Sequence, residues 1–341
     1  MKLTWQPIRL RLRAPLVTAH GEIRERDGFV VRLDEGRGEA SPLPWFGTED
    51  AAACARALTY AAEALAKMRK PERLEELALP PWLDAAPAAR HAVELALLDV
   101  LAQRASLPLR RLLHPRAAGE VPVSALLSSR EPAALAREAR AAAAEGFGTV
   151  KLKVAHAPIE DDLARAAVVR DAAGPDVRLR LDANGGWSEP SALDALRRLA
   201  RLSIELCEQP SLEVESLRRL RGATPVAIAA DESVPRSDGE LLDAVDALVL
   251  KPMVLGGLLP ALTWARRARD HGLRVVVTTS LDGTLGRLGA AQLAAALLAE
   301  EPMPDAGLAT GHLLENDVCE DPAPPARGRI ALPESPGLGA P

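Results

Sequence analysis

The chain has 341 residues, 48% hydrophobic and 3% aromatic, which is room for one large domain and a smaller one in a protein rich in packed helices. Its 42 basic and 47 acidic side chains leave a net charge of −5, which excludes the basic footprint expected of a nucleic-acid binder. No apolar run approaches the roughly 20 residues that cross a bilayer, residues 1–7 lack the apolar core of a signal peptide, and the widely spaced Cys54, Cys207 and Cys319 make no disulfide framework, so the expected setting is the cytoplasm.

In chain order, residues 3–13 alternate apolar and polar side chains, and residues 28–33 offer a second strand running into Gly36 and Gly38. Residues 49–70 and 87–104 carry apolar side chains at helical spacing, punctuated by Pro71, Pro80 and Pro81. This first part has an α+β pattern. From about Val121 the rhythm changes: a short apolar run at 121–126, a helix over 132–145, a strand over 149–154 and a helix over 159–172. Strand-like runs at 177–181, 204–206, 226–229, 247–250 and 274–278 continue the theme with helical stretches between them. Such alternation predicts a parallel sheet with crossover helices, either doubly wound or closed into a barrel.

The polar residues favour a barrel. Lys153, Asp182, Glu208, Asp231, Lys251 and Ser280 fall at or just after successive strands, at steps of 29, 26, 23, 20 and 29 residues. A strand–helix unit repeats on that scale, since about 250 residues make eight, and barrel active sites gather at the carboxyl ends of the strands. The chain has only six lysines, and three of them, Lys151, Lys153 and Lys251, lie here. A lysine in a low-dielectric pocket can give up its proton, which arginine cannot. Lys151 and Lys153 share one face of a strand, and their mutual repulsion is expected to lower the pKa of at least one. Each carboxylate alone could be a helix cap, and two lysines on one strand could be an exposed edge. Three carboxylates converging from successive strands instead need a cation, and oxygen ligands without nearby His or Cys point to Mg²⁺. Asn184 and Glu232 are expected to orient these groups. Gly283, Gly286 and Gly289 could present amides to an anion or pack a helix against the barrel. The six histidines show no pairing at metal-ligand spacing, and Cys207 is read as strand packing.

The set Lys-x-Lys (Lys151, Lys153), Asp182-Ala183-Asn184, Glu208-x-Pro210, Asp231-Glu232-Ser233 and Leu250-Lys251-Pro252 resembles the enolase superfamily in its muconate-lactonising branch, over nearly the whole chain. That resemblance implies a (β/α)7β modified TIM barrel at 119–305, an α+β capping domain at 1–118, and a last barrel strand and C-terminal tail at 306–341 returning to the cap. It implies Asp182, Glu208 and Asp231 as Mg²⁺ ligands, Lys153 as acid/base, Lys251 facing it across the substrate, and Lys151 assisting. Arg24 to Gly28, Gly38 to Phe46 and the tail Gly307-Leu308-Ala309-Thr310 are similar to the o-succinylbenzoate synthase family.

The implied reaction is a Mg²⁺-dependent, syn-type dehydration of 2-succinyl-6-hydroxy-2,4-cyclohexadiene-1-carboxylate in menaquinone or phylloquinone synthesis, by lysine-catalysed α-proton abstraction and a metal-stabilised enediolate. The succinyl arm would extend toward Thr279, Ser280 and Gly283 and under the cap near residues 18–21. Gln209 stands where Glu is more usual, and Asp282 occupies a loop where some dipeptide epimerases carry specificity aspartates. An N-acylamino acid racemase or dipeptide epimerase is therefore the alternative, then a muconate-type cycloisomerase, and from another class a non-catalytic barrel. The expected partner is a small-molecule carboxylate, with no nucleic acid or membrane, in a possible homo-oligomer.

Overall fold

The computed structural model describes residues 1–18 and 21–341. It opens with an antiparallel sheet of β1 (Leu3–Thr18), β2 (Gly21–Leu33) and β3 (Gly36–Ala40). The first two strands pair from Leu3 opposite Leu33 out to Thr18 opposite Gly21, with a register break between Arg11 and Leu16. They run further than the apolar alternation predicts. Arg13, Ala14, Pro15 and Glu22 are exposed, and Leu16 and Ile23 are partly buried, so no clean apolar alternation marks this end of the hairpin.

Helices α1 (Ala51–Lys67), α2 (Pro87–Arg104) and α3 (Leu109–Leu113) follow. Asp50 caps α1 by accepting the Ala53 N–H at 2.7 Å, and Pro87 opens α2 where its missing N–H costs nothing. α2 is buried along most of its length and serves two cores. Ala92, Val93, Ala96 and Leu97 pack with the sheet and α1, whereas Leu95 and Leu98 pack with the barrel. Two glycines let β3 lie directly on α2. A Cβ at Gly38 would sit 2.0 Å from the Ala92 carbonyl oxygen, and one at Gly36 2.1 Å from that of Ala96.

The run at 121–126 divides into β4 (Glu120–Pro122) and β5 (Ala125–Leu127). Then come α4 (Pro132–Ala144), β6 (Thr149–Lys153), α5 (Ile159–Ala173), β7 (Arg178–Asp182), α6 (Glu189–Leu199), β8 (Ile204–Glu208), α7 (Val214–Ala223), β9 (Ile228–Ala230), β10 (Ala247–Leu250), α8 (Leu258–Asp270), β11 (Arg274–Val277) and α9 (Thr284–Leu298). One expected helix is replaced: β9 and β10 are joined by 3₁₀ turns at Val234–Arg236 and Glu240–Asp243, in a short connection broken by Pro235 and Gly239. Strands β5 to β11 form one parallel sheet in sequential order. Its two edges meet at residues 306–307. Ala306 bridges Val123, and Gly307 bridges Thr278. The Ala306 N–H donates to the Pro122 carbonyl at 2.8 Å and the Gly307 N–H to the Val277 carbonyl at 2.9 Å. This short eighth strand closes a (β/α)7β barrel, not a doubly wound sheet.

The chain then returns to the first sheet and helices. Leu314 bridges Leu12, the Glu315 N–H donates to the Arg11 carbonyl at 2.8 Å, and Asn316 accepts the Arg11 N–H at 2.8 Å. β12 (Arg329–Ala331) pairs with β4, and the Leu338 N–H donates to Asp99 on α2 at 2.7 Å. The cap is therefore built from both ends of the chain and seated over the barrel.

Gly38→Ala is expected to destabilise the fold by roughly 1–3 kcal/mol through overpacking against α2. Gly222→Ala, where a Cβ meets nothing within 4 Å on α7, is expected to stabilise it by up to about 1 kcal/mol. Denaturant unfolding of the two variants measures both signs.

Candidate active site

The barrel register sets the site. Lys153 lies opposite Asp182, and Asp182 opposite Glu208, so β6, β7 and β8 end in a row of alternating charge. Asp231 and Lys251 follow one residue past β9 and β10. Lys151 Nζ is 3.0 Å from Glu208 Oε2 and 3.2 Å from Asp182 Oδ2. Lys153 Nζ donates to Asp182 Oδ2 at 3.1 Å and to Asn184 Oδ1 at 2.6 Å. Lys251 Nζ donates to Asp231 Oδ2 at 2.6 Å and sits 3.8 Å from the centroid of the Phe46 ring, so the cap reaches this lysine directly. Asn184 Nδ2 donates to Glu232 Oε1 at 2.9 Å, joining the two residues expected to orient the site.

All four carboxylates are buried. Burial pushes Asp182 up, but Lys153, Lys151 and Lys251 together hold it well below the usual carboxylate range. Burial dominates at Glu208 and Glu232 and raises both; Asp231 is pushed up to about 7 by burial, with Glu232 and Asp182 adding to it against Lys251. Burial opposes the charge on Lys151, yet Glu208, Asp182 and Asp231 raise it above an ordinary lysine. The expected repulsion from Lys153 is thus overridden at Lys151, because acids rather than the other lysine are its nearest neighbours. Cys207 is buried in the barrel core and its thiol is pushed well up by burial, which fits strand packing.

The donor chemistry suits a hard cation. Asp182, Glu208 and Asp231 come from three successive strands, and Asp231 Oδ1 and Glu232 Oε2 are buried without a hydrogen-bond partner. As the acids lean onto lysines, no three His, Cys, Asp or Glu side chains among the described residues gather as a closed metal cluster. The unpartnered oxygens nevertheless leave coordination to be satisfied, and oxygen-only donors match Mg²⁺.

Gln209 was read from sequence only as a departure from a motif, and the structure gives it a task. Its side-chain oxygen accepts the Asp231 N–H at 2.8 Å and the Ser233 N–H at 3.2 Å, while its amide donates to the Ser211 carbonyl at 2.7 Å and Ser233 Oγ at 2.6 Å. A carboxylate could accept the first pair but could not donate the second.

A cleft over the row of charges is lined by Lys151, Lys153, Asp182, Asn184, Lys251, Ser124 and Thr278 on the barrel side. Leu16, Ile23, Leu43, Trp45 and Phe46 from the N-terminal segment form its apolar wall. Thr279 and Ser280 also line it, with their hydroxyl oxygens buried and unpartnered. Gly283 does not. Its N–H donates to Glu39 Oε1 at 2.6 Å, and the Gly286 N–H donates to Glu39 Oε2 at 3.1 Å. The amides at the start of α9 are therefore filled by a carboxylate of the cap, and Gly289 packs against Leu95. Asp282 is buried outside the cleft lining and pushed up to about 6 by burial, against the pull of Arg26. Arg26 is itself buried and donates to the carbonyls of Ser280 and Ser41, a cap-to-barrel tie that sequence reasoning missed. Within residues 18–21, expected to cover the substrate arm, Ala19 and His20 lie outside the described residues.

The family model described as enolase C-terminal domain-like matches residues 134–341. The chain is 35% identical over 327 residues to o-succinylbenzoate synthase of Thermobifida fusca, covering 93% of this chain and 85% of that one. It superposes on the L-Ala-D/L-Glu epimerase of Bacillus subtilis in a substrate-liganded complex, with a TM-score of 0.88 and 29% identity over 100% of this chain and 99% of that one. It also superposes on the dipeptide epimerase of Cytophaga hutchinsonii complexed with Mg and D-Ala-L-Val, with a TM-score of 0.87 and 27% identity over 100% and 96%.

Glu39→Ala strands two buried N–H groups at the start of α9. The expected cost is about 1–3 kcal/mol per stranded group, read by denaturant unfolding, with faster hydrogen exchange at Gly283 and Gly286 than in the unsubstituted protein.

Proposed function

This chain belongs to the enolase superfamily, in its muconate-lactonising branch, and from that premise we propose that it acts as an o-succinylbenzoate synthase. The observation that carries the reading is the charge of the cleft. Three lysines line it, and among its described lining residues Asp182 is the one carboxylate, already engaged by Lys151 and Lys153. A dipeptide brings an ammonium group, which would meet cations here and no free acid. A substrate with two carboxylates and no amine matches the field.

In this reading Asp182, Glu208 and Asp231 would hold Mg²⁺, with Asn184 and Glu232 orienting them. The ion would bind the ring carboxylate and offset the charge that develops when the α-proton leaves. Lys153 Nζ takes that proton from C1, with Asn184 fixing the amine at 2.6 Å. The C–H electron pair then forms the C1–C6 double bond as the C6–O bond breaks, and Lys153 returns its proton to the departing hydroxyl as water. Lys251, on the strand four removed from that of Lys153 in a barrel of eight, faces it across the cleft. It would stabilise the anion electrostatically, steadied by Asp231 and Phe46. The apolar wall from the N-terminal segment would exclude water from the ring, and Thr279 and Ser280, whose hydroxyls have no partner, border the space beside the acyl group.

The same opposed lysines support a second reading, racemisation of an N-acylated amino acid, whose nitrogen carries no charge. There Lys153 and Lys251 would each serve one face of the α-carbon.

Lys153→Ala is expected to lower kcat/KM for dehydration by roughly 10²–10⁴, while Mg²⁺ still raises the unfolding temperature because the ligand acids remain. Steady-state assays paired with thermal melts check both; near-wild-type turnover would remove Lys153 from the role of base.

A further inference from the structure

The reactive cleft has a cavity volume of only about 90 Å³. Small-molecule sites usually run to roughly 300–1,000 Å³, so this space suits a reacting ring or α-carbon but not a whole dicarboxylate. A second cleft of about 450 Å³ adjoins it, and Lys153 and Leu16 line both. Its other walls are the loop after β5, carrying Ser128 and Arg130, the loop after β6, carrying His156, and the first turns of α5.

The second cleft is basic and under-used. Arg130 is exposed and makes no hydrogen bond or ion pair with any described residue. His156 Nε2 is buried and has no partner. Arg165, by contrast, is committed to the Lys153 carbonyl at 3.0 Å and to Asp162 at 3.2 Å. The acid in the lining, Asp161, is exposed to solvent. Burial, then Lys153, with Arg165 and Arg130 adding to it, pushes the His156 imidazole down to about 4. Near pH 7 the ring is neutral and can offer Nε2–H to an anion without adding charge of its own. An arginine without a counter-ion and a buried donor without an acceptor, in one cleft, point to a bound carboxylate.

We propose that this cleft is an anion subsite for the distal carboxylate of the substrate's acyl arm, with Arg130 as its counter-ion and His156 as its hydrogen-bond partner. The subsite rests on the reading above that the substrate is a dicarboxylate processed at Lys153. It makes the loops after β5 and β6, rather than the loop after β11, the elements that read the far end of the substrate. Chemistry and recognition then meet at Lys153, which borders both spaces.

Binding of the product separates these claims without relying on turnover. Calorimetric titrations in Mg²⁺ compare o-succinylbenzoate with 2-butyrylbenzoate, which has the same carbon skeleton length in its arm but no distal carboxylate. The expected preference for o-succinylbenzoate is about tenfold or more, equivalent to about 1.4 kcal/mol. Arg130→Gln and His156→Leu should each erode it, whereas Arg137→Gln, which removes the same charge from the exposed face of α4, should preserve it. Preference unchanged in both cleft variants, equal loss in Arg137→Gln, or no preference in the unsubstituted protein would overturn the subsite and leave the dehydratase reading standing. Failure of the unsubstituted protein to bind either benzoate would overturn that reading and the subsite with it.

Discussion

Everything at the mouth of the barrel depends on how buried carboxylates are compensated. Asp182, Glu208, Asp231 and Glu232 lie side by side at 1–2% exposure, where unpaired charge is prohibitively unfavourable. The chain meets this with lysines from β6 and just past β10, on either side of the acids, rather than with arginines, which it uses almost everywhere else. Arginine would neutralise the acids as well but could never release a proton. The same residues that keep the barrel mouth electrostatically tolerable are thus the ones capable of proton transfer. Stability and chemistry draw on one set of contacts.

That arrangement is useful only under a roof, and the roof is fastened by polar ties spanning the chain. Glu39 on β3 fills the N-terminus of α9, and Arg26 on β2 holds the carbonyl of Ser280. Phe46 then stands over Lys251 at a fixed distance. The close seat of β3 on α2, permitted by Gly36 and Gly38, connects these ties to a helix that belongs to both cores. Residues that touch no substrate therefore determine where the apolar wall of the cleft stands.

Local signals in the sequence were informative where side-chain pattern and chain punctuation coincide. α2 and β10 have the bounds expected of them because proline or strand-terminal lysine marks their ends. The recurring step from Lys153 to Ser280 follows the strand–helix repeat, and these six residues lie at or just past the carboxyl ends of β6 to β11. Contacts between distant segments were not legible. Glu39 and Gly283 are 244 residues apart, and nothing in a glycine run says whether its amides face a substrate or a carboxylate of the same chain. His156 gave no signal in the sequence, because Arg130, whose charge acts on its imidazole, comes near it only in the fold. Gln209 stood out only as a departure from a motif, and its task was hidden for a related reason: it both accepts and donates between two turns that the fold brings together.

The central claim is that this charge-alternating mouth performs metal-dependent dehydration. The most direct measurement is the ultraviolet absorbance of 2-succinyl-6-hydroxy-2,4-cyclohexadiene-1-carboxylate incubated with the purified protein and Mg²⁺, with and without EDTA. The account predicts loss of the diene and formation of o-succinylbenzoate at a kcat/KM within roughly 10⁴–10⁸ M⁻¹s⁻¹, abolished by EDTA. A folded, Mg²⁺-loaded protein that leaves the diene untouched yet exchanges the α-proton of an N-acylated amino acid or a dipeptide for deuterium would contradict it.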